Sequence, residues 1–411
     1  MNENRRNTDH KWVILILGGL TNTIVVAVQS MSLTVLLPEI SVDLNLSLVQ
    51  AGLIWGIGSL PTIFSSIFAG IMADQLGPKR TIIIGCLTAG LLGASRGFSN
   101  NYTMLMITIF LLGLCLPLIT ISNVKNTRIW FEEKEVGLAN GVVSLGMALG
   151  FFIGSNVSAT YISPWVGGWR NVFFLYGLIA LVMLIPWLIS PSTPASSMTP
   201  VKSAQKFSWK QFNHVIKIRD LWLIGLALLA YNGGVQGLLG YLPLYLRNMG
   251  WHEISADSAA SFFHLASMLC VIPMTYIADR LGTGKKMSIY AAALTTLGIG
   301  SLYFLNSGAI WVAVILAGLS RDGLMALLIT LALKTKGVGT TYPGIATGFV
   351  IIFAGIGSMV SPPLGNRMAN LTPSTPFLFW GVLCLVSVIC IVLTRNGKTE
   401  KTSNTVETAG Q

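Results

Sequence analysis

The sequence predicts an all-α membrane protein, with twelve transmembrane helices arranged as two pseudo-symmetric six-helix bundles. Three observations carry that expectation. Of 411 residues, 53% are hydrophobic and only 10% are charged, whereas a soluble domain needs roughly a quarter of its residues charged to keep its surface wet. The apolar residues gather into runs of the length that crosses a bilayer. The second half of the chain also repeats the opening of the first at a fixed offset.

Lipid is the natural solvent for this composition. With a mean hydropathy of +0.70, the chain would expose large apolar patches in water and aggregate. The 43 glycines and 16 prolines agree, since both residues are commoner in membrane helices than in soluble ones. A net charge of +11 would suit nucleic acid if it were clustered, but the basic residues recur between apolar runs. Membrane lipid is therefore the expected partner and nucleic acid is not. Cys86, Cys115, Cys270, Cys384 and Cys390 all lie inside apolar runs without metal or disulfide spacing, and read as small packing residues. Arg5, Arg6 and Lys11 precede the first run as in a signal peptide. That run, from about Trp12 to Leu37, is too long and lacks a convincing cleavage site, so it reads as the first membrane helix.

A membrane helix takes about 20 mostly apolar residues. The runs place spans at 12–38, 49–73, 81–97, 102–125, 137–161 and 170–190, then at 220–246, 258–278, 287–305, 309–333, 343–366 and 375–394. Lysines and arginines fix the orientation, because they accumulate in cytoplasmic loops. With the N-terminus inside, only Arg96, Arg170, Arg247 and Arg367 of the 26 basic residues fall outside, and Arg321 lies within a span. Both termini are thus expected in the cytoplasm, in a multi-pass protein of the cell inner membrane. Residues 1–190 form an N-terminal six-helix bundle and 220–395 a C-terminal one. Between them, 191–219 opens as PSTPASSMTP and continues with Trp209, Phe212, Val215 and Ile216 on one helical face. This reads as a cytoplasmic linker with an interfacial helix. The polar tail, 396–411, reads as disordered.

The repeat is visible in the loops. Leu37-Pro38 matches Leu242-Pro243, and the same offset carries Asp74 onto Asp279. Six spans joined to six by a cytoplasmic linker make a parallel repeat. The loop after the second span reads Gly70-x-x-x-Asp74-x-x-Gly77-x-Lys79-Arg80. It resembles the signature loop of the major facilitator superfamily. The second copy is degraded: Thr275 replaces the leading glycine, and an extra residue precedes Lys285-Lys286. Trp130-Phe131, Glu135 and Gly137-Leu-Ala-Asn140-Gly141 also resemble that superfamily's fourth-to-fifth span junction. The junction and the 330–367 stretch look similar to branches handling nitrate, cyanate or carboxylates. The resemblance implies the major facilitator fold, and a gating role for Gly70, Asp74, Gly77, Lys79, Arg80, Asp279 and Arg280. In physical terms, Asp74 can cap or pair at a span end, Gly77 permits the reversal, and Lys79 and Arg80 face anionic lipid. A plain topology anchor is the other reading of the loop. Gly282-Thr-Gly-Lys-Lys lacks P-loop spacing and is the repeat copy.

Polar groups at mid-membrane are costly and therefore informative. Arg321, in Gly318-Leu-Ser-Arg321-Asp322-Gly323, is the outstanding one, with no other charged side chain expected so deep. As a fixed cation with a planar fork it suits a carboxylate, sulfonate or oxyanion. Pairing with Asp322 is the structural alternative. Adjacent helical residues point about 100° apart, however, so Asp322 is expected to bond a neighbouring helix or to act as the coupling carboxylate. Lys125 reads as a second cation of the vestibule or as a helix anchor. His264 reads as a proton carrier, a substrate contact or a satisfied core histidine. In the superfamily, spans one, five and seven line the central cavity, so the resemblance adds Gln29, Tyr231, Asn232 and Gln236 as substrate contacts. Helix-to-helix bonding is the alternative for each. Gly146, Gly150 and Gly154 form a small-residue face for packing.

Acidic residues are nearly absent from the core, with Asp322 deep and Glu39 near an outer end. That asymmetry favours an anion over a cation as solute. The expected function is secondary active transport of a small anionic solute by alternating access, by a monomer coupled to a proton or counter-solute. Amphiphile or multidrug efflux on the same fold is the alternative, disfavoured by the lack of the antiporters' Gly-Pro pair in the fifth span. No cofactor is expected. An enzyme is not expected either, since no catalytic cluster, metal spacing or cofactor fingerprint is present.

Overall fold

The computed structural model describes residues 2–191, 213–305, 308–338 and 343–395. These are helical throughout their long elements, and no strand occurs among them. Twelve helical units run α1 (His10–Asp43), α2 (Leu48–Gln75), α3 (Pro78–Phe98), α4 (Tyr102–Trp130), α5 (Glu133–Val166) and α6 (Trp169–Ile189). The second half holds α7 (Arg219–Asn248), α8 (Glu253–Arg280), α9 (Gly284–Ser301), α10 (Ala309–Leu333), α11 (Gly344–Met368) and α12 (Thr375–Leu393). All but α9 are long and apolar enough to cross a bilayer. α9 has only 18 residues and opens on Lys285 and Lys286. It ends at Ser301, short of the expected 305, because Leu302–Phe304 form a turn. Of the linker and tail expected at 191–219 and 396–411, residues 192–212 and 396–411 lie outside the described residues.

Local chemistry sets the helix ends. Ser47 and Gln50 form a reciprocal capping box at the start of α2, and the Asn101 side chain accepts from the Met104 N–H at the start of α4. Each satisfies amides that a helix start leaves unpaired. Gly77 turns the chain between α2 and α3 with φ of 84°, a left-handed conformation that a side chain would oppose. Pro78 then supplies the first helical residue.

In the first half, α1 widens to a π-helical segment over Asn22–Val28, and the glycine face of α5 packs directly on it. A Cβ added at Gly150 would fall 2.5 Å from both Ala27 Cβ and the Thr23 carbonyl, and one at Gly154 2.9 Å from Val28 Cα. The Thr23 hydroxyl donates to the Gly146 carbonyl at 2.7 Å. The packing expected of this stripe is what occurs, with backbones in contact as small residues allow. Gly150→Val should therefore push α1 and α5 apart and lower the melting temperature of detergent-purified protein by several degrees, as overpacking of about 1–3 kcal/mol implies. An unchanged melting point would argue against this seam.

The repeat seen in sequence extends to side-chain contacts. Lys79, in the first turn of α3, donates to the carbonyls of Leu188 (3.3 Å) and Ser190 (2.5 Å) at the end of α6. Its repeat mate Lys285 donates to those of Val392 (3.0 Å) and Thr394 (2.5 Å) at the end of α12. In each half a lysine thus satisfies the exposed carbonyls of the sixth helix. Large apolar side chains such as Phe64, Ile67 and Phe68 on α2, Ile189 after α6 and Ile272 on α8 face outward. That surface suits hydrocarbon and would aggregate in water.

The halves meet chiefly along two pairs of helices, with α7 also touching α1 and α2. α2 lies against α11, where a Cβ at Gly52 would meet the Pro363 backbone at 2.8 Å and one at Gly56 the Met359 carbonyl at 2.5 Å. α5 lies against α8. The bonds that cross between halves are Trp55 Nε1 to the Gln236 carbonyl, Asn366 to the Leu48 carbonyl, Ser155 with Ser261, Asn156 to Ser258, and Thr160 to Asp257. Among the described residues these all lie towards the end where α1 meets α2 and α7 meets α8. Among the described residues, no such side-chain bond is found at the opposite, lysine-rich end.

Candidate functional site

α10 is not one helix. It breaks at Leu319-Ser320, so that Ala309–Gly318 and Arg321–Leu333 are separate segments with Arg321 and Asp322 opening the second. Gly318 lies at the break because α8 approaches closely there: an added Cβ would meet the Phe263 carbonyl at 2.4 Å. Arg321 and Asp322 are consecutive residues of the second segment, and the long arginine side chain bends back so that Nη1 donates to Asp322 Oδ1 at 2.9 Å. The expectation that they would not pair directly is thus corrected.

Asp322 also engages α8, as anticipated. Ser267 Oγ donates to Asp322 Oδ2 at 2.7 Å, and the Asp322 N–H donates to the same hydroxyl at 3.1 Å. Around the break, the Ser320 hydroxyl shares a hydrogen with Thr295 at 2.5 Å, and Tyr231 O–H donates to the Arg321 carbonyl at 3.2 Å. Of the groups at the break, the Asp322 N–H is the amide that a helix start leaves unpaired, and Ser267 satisfies it. The arginine side chain keeps 20% of its surface exposed and the aspartate 37%. The pair is therefore reachable, and its free N–H edges sit beside a helix start, where anions are favoured.

Across the seam, the Phe151 ring of α5 lies 5.2 Å from the Arg321 guanidinium carbon and 5.2 Å from the His264 ring. His264 is 2% exposed and neither ring nitrogen has a hydrogen-bond partner. The expected contacts on α7 lie near this group. Tyr231 touches the break, and Asn232 donates to the Leu228 carbonyl at 3.1 Å and approaches Met325 Sδ on α10 at 3.8 Å. Gln236 has a buried Oε1 without a partner, while its carbonyl accepts from Trp55.

Two expected contacts are elsewhere. Gln29 is fully buried in the first bundle, where its carbonyl and Oε1 accept from Arg96 at 3.1 Å each. Arg96 is 1% exposed, lies over the Phe173 ring at 4.1 Å, and among the described residues bonds carbonyls and an amide rather than a carboxylate. It is buried protein rather than an outer loop residue, so Arg321 is not the most buried arginine. Lys125 Nζ binds Asp74 Oδ1 and the Gly70 carbonyl, both at 2.6 Å. It thus braces the loop after α2, and no bond among the described residues joins it to Arg321. The second half repeats the motif loosely, with Lys334 at 3.9 Å from Asp279. Arg80 and Arg280 are exposed.

A second charged group escaped the sequence reading. Asp257 is completely buried in α8, and its Oδ2 accepts from Arg247 Nη2 at 2.7 Å and from Thr160 Oγ1 of the other half at 2.9 Å. The span was expected to start at 258, one residue too late to include it. The signal was Glu253 and Asp257 at one-turn spacing, which the apolar run alone does not reveal.

Residues 19–342 match the family model described as Major Facilitator Superfamily. The chain is 26% identical over 406 residues to a probable sulfoacetate transporter of Cupriavidus necator, covering 91% of this chain and 92% of that one. It is 23% identical to a cis,cis-muconate transport protein of Acinetobacter baylyi, over 74% and 75% of the two chains. A crystal structure of a nucleoside transporter superposes with a TM-score of 0.78 at 12% identity, covering 93% of this chain and all of that one.

Proposed function

The chain belongs to the Major Facilitator Superfamily, and we propose that it moves a small organic anion across the cytoplasmic membrane by alternating access, with Arg321 as the anion's anchor. Transport rather than catalysis is the family's business, and the relatives named above carry organic anions. The observation that carries the reading is the Arg321–Asp322 pair at the start of a broken half-helix inside the membrane. A guanidinium there binds a carboxylate or sulfonate through two parallel hydrogen bonds, and discontinuous helices supply such sites in other transporters.

Asp322 gives the anchor its coupling. In the conformation described, the aspartate neutralises the arginine. An arriving anion competes for the same N–H groups, and Asp322, released from its cation, is free to carry a coupling proton. The bonds between halves concentrate at the α1–α2 end, so that end is closed and the lysine-rich end is the accessible one. With both termini cytoplasmic, this conformation is inward-facing and the protein works as a monomer. Reporter fusions after Arg395 and within 191–219 should both give cytoplasmic signals, and a periplasmic signal from either would overturn the orientation.

Asp74, Gly70 and Lys125 form the gating loop in this scheme. Asp74→Asn removes the ion pair that fixes the loop after α2 against α4 within the first half, and so loosens the loop that the scheme assigns to gating. It should slow uptake at least tenfold while changing solute affinity less than about twofold, since the loop lies away from Arg321. Equal losses in both, in well-folded protein, would remove the loop's special role. The identity of the solute class is tested by a thermal-shift screen of small carboxylates and sulfonates on purified protein, followed by uptake of the best binder into proteoliposomes. Stabilisation by cations or neutral amphiphiles alone, with none by anions, would replace the anion reading with the efflux one.

A further inference from the structure

We infer that Phe151 selects the body of the anion, favouring solutes with a planar unsaturated group next to the charged head. The inference rests on Arg321 holding the head. Phe151 is contributed by α5 of the first half, whereas Arg321, Asp322 and His264 all belong to the second. Its ring lies over the guanidinium at 5.2 Å and against the His264 imidazole at 5.2 Å with a 39° tilt. The arginine thus has an aromatic ring on one side, and one of its N–H groups is bonded to Asp322. An anion that displaces Asp322 from the guanidinium takes up its place beside that ring. Whatever follows its head is carried alongside the Phe151 ring and towards His264.

The chemistry of that wall is aromatic. Phe151 and Phe263 flank His264, whose two ring nitrogens are buried without a partner. A flat π-system can stack on such rings, whereas a puckered saturated ring of equal size meets them only through edges. The unpartnered imidazole adds a hydrogen-bonding group for a polar substituent at the far end of the solute.

The test uses three carboxylates with the same head: acetate, benzoate and cyclohexanecarboxylate. Their affinities are measured calorimetrically on detergent-purified protein, together with Phe151→Leu, Phe151→Met, Phe151→Tyr and Arg321→Ala. The unaltered protein should prefer benzoate to cyclohexanecarboxylate by about 2- to 10-fold, the range that one aromatic contact supplies. Phe151→Leu and Phe151→Met should bring that ratio close to one while leaving acetate within about twofold. Phe151→Tyr, which keeps the ring, should preserve the ratio. An unchanged ratio in the leucine and methionine variants overturns the inference. So does an equal loss for all three acids, or the absence of saturable benzoate binding to the unaltered protein. Failure of the anion anchor itself has a different signature, in which Arg321→Ala binds all three acids as the unaltered protein does.

Discussion

Arg321→Ala should abolish saturable uptake while leaving a folded, monodisperse protein. The side chain is partly exposed and held by one aspartate and one ring, so its removal opens space at a cavity wall rather than in a packed core. Arg321→Lys keeps the charge but presents a point cation in place of a planar fork. Losing one charge-assisted hydrogen bond, worth about 1.5–3 kcal/mol, should weaken anion affinity about 10- to 150-fold without eliminating it. Uptake by Arg321→Ala proteoliposomes at the normal rate would remove the arginine from the transport pathway.

The largest effect on stability is expected at the other end of the α5–α8 seam. Asp257→Ala leaves Arg247, only 12% exposed, without its buried partner, and takes from Thr160 its acceptor across the seam. Breaking one side of a fully buried pair costs about 3–5 kcal/mol, and the loss here falls towards the lower end because Glu253 remains 3.7 Å from Arg247. The melting temperature should fall steeply. Asp257→Asn keeps an acceptor for Thr160 and should fall less. Thr160→Val removes a single hydrogen bond and should cost about 1 kcal/mol. If all three variants melt together with the unaltered protein, Asp257 does not hold the two halves closed.

These residues also mark where the sequence was legible. Run length and loop charge were enough for twelve helices and a twofold repeat, because a bilayer imposes one thickness on every span. The helix ends were harder. α4 runs on to Trp130 and α8 begins at Glu253, since membrane helices continue past the hydrocarbon into polar turns that a hydropathy run excludes. That is why Asp257 was taken for a loop residue and Lys125 for a residue at the end of its span.

The site was half legible. A lone arginine in an apolar run pointed to α10, but Gly318-Leu319-Ser320 is compatible with an unbroken helix, and nothing in it announces the interruption. The interruption comes from packing: α8 presses on Gly318, Ser267 accepts from the freed Asp322 N–H, and Tyr231 and Thr295 bond the Arg321 carbonyl and the Ser320 hydroxyl. Three helices, α7, α8 and α9, supply those contacts, and they are distant in sequence. Gln29 failed as a cavity residue for a related reason. Helix number tells which helix lines a cavity, but the face depends on the π-helical turn before it, and that turn aims Gln29 at Arg96. Phe151 looked like any apolar residue of a span. Only the crossing of α5 over α8 and α10 gives it an arginine and a histidine as neighbours.

The account stands most directly on the role of Arg321, and one set of uptake measurements decides it. Proteoliposomes containing Arg321→Ala, Asp322→Ala and the double variant are assayed for saturable uptake of the best-binding organic anion, with melting temperatures measured in parallel. If the arginine anchors the solute, the double variant should remain folded and inactive, because removing Asp322 does not replace the lost N–H donors. If Arg321 serves only to neutralise Asp322, removing both charges should return stability and uptake together towards their original values. Recovery of transport in the double variant would contradict the account.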